Sequence, residues 1–175
     1  DYLDFQYTPE QVNAVIKRLK QDKVKDLYSM WANSLLYKDL DRLYDLIGTK
    51  YIRKNNLNTA LIYFQQVSDS TWKTERYSYL DANPFYTNFY NEHDRTEADT
   101  ITYTKPKLVK TLIAYLALAD NPATKDRDYY YFLTANCYLN MTYYGNSWMM
   151  KRYQSSSNLY RRTGYNDQDF IQADY

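Results

Sequence analysis

The strongest constraint on the fold is a pair of apolar stripes at helical spacing, separated by a turn. The first stripe comprises Leu40, Leu43, Tyr44, Ile47 and Tyr51, and the second comprises Leu57, Ala60, Leu61, Phe64 and Val67. The intervening Asn55-Asn56 pair is typical of a turn. Because a loop of a few residues makes consecutive helices antiparallel neighbours, the sequence predicts a helical hairpin over residues 40–67.

Further segments with the same periodicity predict an all-α fold of six or seven helices. Thr8-Pro9-Glu10-Gln11 predicts a capping box at the start of one helix. Four other helices are predicted. One contains Leu27, Trp31 and Leu35, and a second starts at Pro106. The third runs from about Asp126 to Tyr144 and the fourth from about Ser147 to Arg161. Gly145 is predicted to end the helix before it in the left-handed conformation. Between residues 68 and 104 the periodicity breaks down, which predicts a long loop.

Gly48 lies in the middle of the first hairpin helix, although the chain has only three glycines. Glycine in a helix interior costs about 1 kcal/mol relative to alanine, so the position needs a reason. Close approach of the two helices supplies one, because Gly48 and Ala60 remove side-chain bulk where the helices cross. Tyr51 and Phe64 are expected to fill the flanking space.

The hairpin resembles a tetratricopeptide repeat (TPR) in residue type and in register. The matching positions are Tyr44, Ile47, Gly48, Tyr51, Ala60 and Phe64. The departures from the family pattern are Tyr44 for Trp, Ile47 for Leu, Val67 at a usual Ala position and Trp72 where a closing Pro is expected. The resemblance covers residues 39–72, and residues 126–161 resemble a degenerate second repeat. It implies antiparallel helical hairpins stacked as a TPR-like α-solenoid, or superhelix, in a single domain over residues 1–175.

Three other stretches resemble a group of large uncharacterised bacterial cell-envelope proteins that have TPR-like helices. They are Asn83-Pro84-Phe85 and the segment from Tyr138 to Asn146, together with the His93-Asp94 loop. A second similarity is to outer-membrane glycan-capturing lipoproteins, in which an aromatic-rich helix ends in an aromatic-Gly pair like Tyr144-Gly145. The proline expected after that pair is missing here. These resemblances favour a bacterial periplasm or outer cell envelope, with the cytoplasm as the alternative. The helical pattern begun at Gln168 stays unfinished at Tyr175, which suggests a fragment of a longer chain.

Charge and apolar run length exclude several classes of function. The chain has 22 Lys and Arg against 21 Asp and Glu, a formal charge of +1. A nucleic-acid binder normally gathers a basic excess on one face, so no nucleic-acid partner is expected. The longest apolar run, Leu112 to Ala119, is far shorter than the ~20 residues of a membrane span. We therefore predict no transmembrane segment.

The residues capable of catalysis or metal binding are few. His93, the only histidine, lies in an acidic loop that lacks the spacing of a calcium or zinc site. Cys137, the only cysteine, lies on an apolar helical stripe and is expected to be a buried small hydrophobe. No catalytic residue, metal site or cofactor is predicted, and the chain is not expected to be an enzyme. A helical hydrolase remains a third class of function.

The 23 tyrosines are the feature that most favours a binding function. Tyrosine combines a flat apolar ring with a hydroxyl, which suits contacts with peptides or sugars. The residues proposed to contact a ligand are Tyr143, Tyr144, Trp148 and Tyr153. We expect a non-enzymatic scaffold for a protein or peptide partner, with a glycan-binding envelope protein as the alternative. The sequence leaves the oligomeric state open.

Overall fold

The computed structural model describes residues 2–21, 26–37, 39–80, 82–86, 102–142 and 145–151. These residues form eight α-helices and two 3-10 helices and contain no β-strand. The α-helices are α1 (Tyr2–Gln6), α2 (Pro9–Lys20), α3 (Leu27–Tyr37), α4 (Leu40–Arg53), α5 (Leu57–Phe64), α6 (Asp69–Trp72), α7 (Lys105–Asp120) and α8 (Arg127–Asn140). The 3-10 helices are Glu75–Leu80 and Trp148–Met150. The predicted all-α class is confirmed for the described residues.

The chain divides into two compact units, residues 1–71 and residues 72–175. In the first unit α4 packs on both α5 and α2, and α2 also contacts α3. Its core contains Val12, Ile16, Leu43, Leu46, Ile47, Ala60 and Phe64. The predicted capping box at the start of α2 is confirmed, because the Gln11 backbone N–H donates to Thr8 Oγ1 and the Thr8 N–H donates to Gln11 Oε1.

The turn between α4 and α5 combines the C-terminal cap of one helix with the N-terminal cap of the next. Asn55 has a φ of 53°, in the left-handed region that asparagine tolerates better than most residues. The backbone N–H of Asn56 donates to Tyr51 O, and that of Asn55 donates to Ile52 O, which is the Schellman pattern. The Asn56 side chain then accepts from the Thr59 N–H and caps α5. The predicted hairpin and its Asn55-Asn56 turn are therefore confirmed.

Gly48 lies directly against the ring of Phe64 in this hairpin. A Cβ added to Gly48 would come closer than 3.0 Å to three ring atoms of Phe64, a distance that real Cβ atoms do not show. Phe64, Ile47 and Ala60 have no solvent exposure. The glycine therefore makes room for an aromatic side chain at the centre of the first unit.

The two hairpin tyrosines singled out by the repeat resemblance lie nearer the edge of this core. Tyr44 is buried, and the Lys20 ammonium lies 5.3 Å from its ring centroid. Tyr51 stacks on Tyr63 with ring centroids 5.6 Å apart, and its hydroxyl donates to Glu10 Oε1 at 3.2 Å. Burial first, and then the Glu10 carboxylate, raise the pKa of Tyr51 above its ordinary value.

A buried ion pair attaches α1 to α4. Arg53 binds Asp4 through two hydrogen bonds, of 2.6 Å and 2.8 Å, and the Lys50 ammonium lies 3.4 Å from Asp4 Oδ1. Lys50 also donates to the Asp4 backbone carbonyl. Burial alone would raise the pKa of Asp4, but the hydrogen bonds and charge of Arg53, with the charge of Lys50, lower it below 3.8.

Asp4→Asn is expected to reduce the free energy of unfolding by about 1 kcal/mol at neutral pH. Breaking a buried ion pair costs roughly 3–5 kcal/mol, but α1 has only five residues and can detach, which returns Lys50 and Arg53 to water. A lowered carboxylate pKa stabilises the fold above the unfolded pKa and loses that effect as the pH falls through the folded value. The difference between wild type and Asp4→Asn should therefore shrink as the pH drops below 3.8.

Urea unfolding at several pH values checks this prediction, with Asp126→Asn as the control. Asp126 is exposed, and asparagine is as good an N-cap residue as aspartate. A pH-independent difference between Asp4→Asn and wild type would show that the carboxylate charge is not what holds α1.

The second unit is built on the pair α7 and α8, which pack on each other. The α7 helix starts after Thr104, whose Oγ1 accepts from the Lys107 N–H at 3.4 Å. Its buried side chains include Leu108, Val109 and Leu112, on the predicted stripe. The buried side of α8 includes Leu133, Thr134, Asn136, Cys137 and Asn140. Among the described residues, the helix that packs on α8 is therefore α7, whereas the repeat predicted over residues 126–161 would pair α8 with the helix after it.

Several sequence predictions for residues 68–161 are changed or lie outside the described residues. The segment predicted as a long loop contains α6 and the 3-10 helix Glu75–Leu80. The predicted helix from Ser147 is a 3-10 helix over Trp148–Met150, and its continuation from residue 152 lies outside the described residues. The repeat boundaries and the single domain stay predictions. No helix in the described part of the chain has the length and apolar character needed to cross a membrane.

Candidate functional site

Of the four residues proposed to contact a ligand, only Trp148 lies in the described part of the chain. Tyr143, Tyr144 and Tyr153 lie outside it, so their role stays a prediction. Trp148 is half-buried and starts a 3-10 helix whose other residues, Met149 and Met150, are buried. The indole is therefore held near the surface by a turn that is anchored in the core.

The prediction that Gly145 ends α8 in the left-handed conformation is wrong. The helix ends at Asn140, the cap residue Met141 is right-handed, and Gly145 does not have a positive φ. Gly145 is instead required by close approach. A Cβ there would lie closer than 3.0 Å to the backbone O, Cα and C atoms of Asn140. The chain folds back on the end of α8, and Ser147 N–H donates to Asn140 O at 2.8 Å.

Buried asparagines on α8 hold the segment Asn83-Pro84-Phe85-Tyr86. Asn140 Nδ2 donates to Pro84 O at 2.8 Å and to Tyr86 O at 3.0 Å. Asn136, one turn earlier on the same helix face, donates to Phe85 O at 3.2 Å. Asn146 Nδ2 donates to Asn83 O at 3.4 Å. These bonds give hydrogen-bond donors to backbone carbonyls that lie outside any helix or sheet.

The structure thereby joins two of the three stretches that carry the cell-envelope resemblance. The Asn83–Phe85 turn and the Tyr138–Asn146 segment are far apart in sequence, and the asparagine bonds connect them. Sequence reasoning named both stretches but not their contact. The available signal was the i, i+4 spacing of Asn136 and Asn140 on the apolar side of a helix, because buried amides need partners.

A chain of aromatic contacts leads from this turn to the surface of α8. The Phe85 ring packs edge-on against Tyr115 with centroids 4.9 Å apart. Tyr115 contacts Tyr130 at 5.5 Å, and Tyr130 contacts Tyr129 at 6.1 Å. Burial, followed by the neighbouring Tyr130, raises the pKa of Tyr115. Tyr129 is more than half exposed, because three consecutive residues of a helix point in different directions and cannot all face the core.

Apolar side chains also cover the side of α8 that faces away from its core. We define the α8 outer face as Tyr131, Phe132, Ala135 and Leu139, which share a side of the helix at i, i+1, i+4 and i+8 spacing. Tyr131 is 44% exposed, Phe132 54% and Leu139 59%, and Ala135 is also exposed. An exposed apolar group of this kind marks an interaction surface more often than isolated exposed residues do.

No protein-family model, curated protein or solved structure matches this chain. The resemblance to TPR proteins therefore depends on the residues of the hairpin and on their packing.

The α8 outer face is fixed in place from both sides of the helix. The Tyr131 hydroxyl donates to Asp120 Oδ1 at 3.1 Å, which ties the tyrosine to the end of α7. Arg127 Nε donates to Ala119 O at 2.9 Å, which ties the first turn of α8 to the same place. Asn136 and Asn140 anchor the opposite side of the helix.

The described residues offer little support for covalent or metal chemistry. Cys137 is buried, and burial raises the pKa of its thiol, so it stays protonated at neutral pH. Within the described ranges, no three His, Cys, Asp or Glu residues come together as metal ligands. His93 and its acidic neighbours lie outside those ranges. What the α8 outer face offers is apolar and aromatic surface.

Proposed function

We propose that this protein is a non-enzymatic scaffold of TPR-like helices that binds a protein or peptide partner through the α8 outer face. The observation that carries the proposal is the exposure of Phe132 and Leu139, both above half, on a helix whose other side is fully packed. Large apolar side chains on a rigid helix are the kind of anchor that dominates binding energy in protein interfaces.

The hairpin in the first unit supports the TPR-like part of the proposal. Gly48 receives the Phe64 ring, and the fully buried Ala60 lies one turn before Phe64 on α5. A small residue on one helix that receives a large residue from the next is the packing that the repeat resemblance implies. Helix pairs α4–α5 and α7–α8 are compatible with a helical repeat fold.

The chemistry of the α8 outer face defines the class of partner. Complete burial of a Leu or Phe side chain contributes roughly 1.5–3 kcal/mol, so covering the exposed halves of Phe132 and Leu139 is worth about 2 kcal/mol in total. The exposed Asp128 lies at the N-terminal end of the same side of the helix. A partner segment with two or three apolar anchors at helical spacing and a basic residue beside Asp128 would fit this surface.

Selection from a random peptide display library with the full chain as bait tests the proposal. We expect the selected peptides to have paired apolar anchors and to bind Phe132→Ser/Leu139→Ser at least about 10-fold more weakly than wild type, a loss of about 1.4 kcal/mol. The control is Ile62→Ser on α5, because Ile62 is 59% exposed, like Leu139, and lies in the other unit. Failure to select any peptide, or equal affinity of the peptides for the double variant, would overturn the proposal.

The glycan-binding alternative stays a prediction. Three of its four residues, Tyr143, Tyr144 and Tyr153, lie outside the described residues. The half-buried Trp148 can offer only part of its ring to a ligand. The exposed α8 outer face is what supports the protein or peptide partner.

A further inference from the structure

The α3 helix turns its apolar side toward solvent. Its exposed side chains include Leu27 at 85%, Tyr28 at 74% and Trp31 at 59%, followed by Met30 and Leu35. Ser29, Ala32 and Asn33, on the other side, are half-buried. A helix that packs only within its own unit would bury its large apolar side chains and expose its polar ones.

The exposed residues form one continuous surface, which we call the α3 face: Leu27, Tyr28, Met30, Trp31 and Leu35. Residues 27, 31 and 35 follow one another at i, i+4 spacing along the helix. The Tyr28 and Trp31 rings already contact each other, with centroids 6.0 Å apart. The helix is also well formed at its start, because the Ser29 N–H donates to Asp26 Oδ1 at 2.8 Å.

We propose that the α3 face binds the α3 face of a second copy of this chain in a two-fold, antiparallel dimer. This inference goes beyond the peptide binding proposed for α8, and it concerns the other compact unit. Failure of the dimer would therefore leave the α8 proposal standing, and the reverse also holds.

The size of the α3 face fits a small, weak dimer. An aromatic side chain buries about 150–250 Å² when fully covered, so the five residues at their exposures offer about 500 Å² per copy. Two copies would bury about 1,000 Å², which is the lower limit for a specific interface. We therefore expect a dissociation constant on the order of 10–100 μM.

The absence of charge on α3 favours a second copy of the same apolar face. Residues 27–37 include no charged side chain, so two α3 faces meet without like-charge repulsion. Arg18 lies near the start of α3, close enough to Asp26 to lower the pKa of that carboxyl further, after the hydrogen bonds from Ser29. The exposed Asp39 follows the end of the helix, where it pairs with Arg42 at 3.5 Å.

A two-fold axis across α3 would bring the start of each helix to the end of its partner. The helix dipoles would then lie antiparallel, with the positive end of each helix beside the negative end of its partner. The two Arg18 side chains would lie roughly one helix length apart, about 16 Å for 11 residues at 1.5 Å each. That distance exceeds the Debye length of about 8 Å at physiological salt.

Sedimentation equilibrium of the full chain from about 1 to 200 μM tests the dimer, since that range brackets the expected dissociation constant. We expect the dimer fraction to rise with concentration and Leu27→Ser/Trp31→Ser to weaken it at least about 30-fold. Ile62→Ser, with the same exposure as Trp31 in the same unit, should not change it. A chain that stays monomeric, or that dimerises equally well with the double variant, contradicts the proposal. A chain that stays monomeric in solution but binds vesicles of anionic lipid also contradicts the proposed dimer.

Cysteine pairs test the antiparallel geometry, and the Leu27→Cys and Leu35→Cys chains each keep four of the five side chains of the α3 face. The only native cysteine, Cys137, is buried and should not interfere. When Leu27→Cys and Leu35→Cys chains are mixed, a disulfide between position 27 of one copy and position 35 of the other should form faster than a disulfide between two identical chains. Trp31→Cys lies near the two-fold axis, so two copies of that variant should form a disulfide with each other. Faster self-pairing of Leu27→Cys than crossed pairing would overturn the antiparallel arrangement.

Discussion

Gly145→Ala is expected to lower the free energy of unfolding by about 3 kcal/mol, at the upper end of the usual cost of overpacking. The alanine Cβ would fall within 3.0 Å of three backbone atoms of Asn140. A side chain could rotate away from such a contact, but the backbone at the end of α8 cannot. The turn would have to open, with loss of the 2.8 Å hydrogen bond from Ser147 N–H to Asn140 O.

The sign of the Gly145→Ala effect is informative by itself. Gly→Ala at an unstrained position stabilises a protein by about 0.4–1 kcal/mol, because alanine restricts the unfolded chain. Urea unfolding followed by circular dichroism measures the difference, and Asn146→Ala provides the comparison. That variant loses the 3.4 Å bond to Asn83 O and the 2.9 Å bond from Ser147 Oγ but adds no clash, and each bond is worth about 1 kcal/mol. A Gly145→Ala protein as stable as wild type would mean that the turn is not held against Asn140.

Local patterns in the sequence predicted the parts of the fold that depend on neighbouring residues. The capping box at Thr8 and Gln11 and the Asn55-Asn56 turn are both fixed by backbone groups within a few residues, so short-range rules suffice for them. The same holds for the all-α class, which follows from apolar spacing alone.

The missed features depend on contacts between residues far apart in sequence. Glycine can serve either a left-handed turn or a close approach of the backbone, and the local pattern does not distinguish the two. The prediction for Gly145 was the left-handed turn, whereas the structure shows the close approach. Periodicity groups Leu27, Trp31 and Leu35 on one side of a helix but does not say whether that side faces the core or solvent. In α3 it faces solvent.

The candidate site illustrates the same limit. Apolar residues such as Phe132 and Leu139 are ordinarily counted toward a core, and only the packing of α8 on α7 reveals that they lie outside it. The buried amides of Asn136 and Asn140 gave a usable signal, but their partners, the carbonyls of residues 84–86, could not be identified without the fold.

Gly48→Ala is expected to destabilise the protein by about 2 kcal/mol, against the direction of helix propensity. Alanine in a helix interior gains about 1 kcal/mol over glycine, whereas overpacking a core costs about 1–3 kcal/mol and occasionally more. The clash wins here because the Phe64 ring, with no solvent exposure, has no free space into which it can move. Arg42→Ala, at an exposed position of the same helix, should change the free energy of unfolding by less than about 0.5 kcal/mol.

A double-mutant cycle separates the clash from other effects of Gly48→Ala. Phe64→Leu alone should cost about 1.5 kcal/mol, because it keeps most of the buried volume. In Gly48→Ala/Phe64→Leu the alanine methyl group enters space that the aromatic ring has vacated, and the helix keeps its gain in propensity. The double variant should thus be about 1–2 kcal/mol more stable than the sum of the single effects predicts. Effects that add within about 0.5 kcal/mol would show that Phe64 is not the reason for glycine at position 48. The helix-crossing argument behind the TPR-like hairpin would then fail with it.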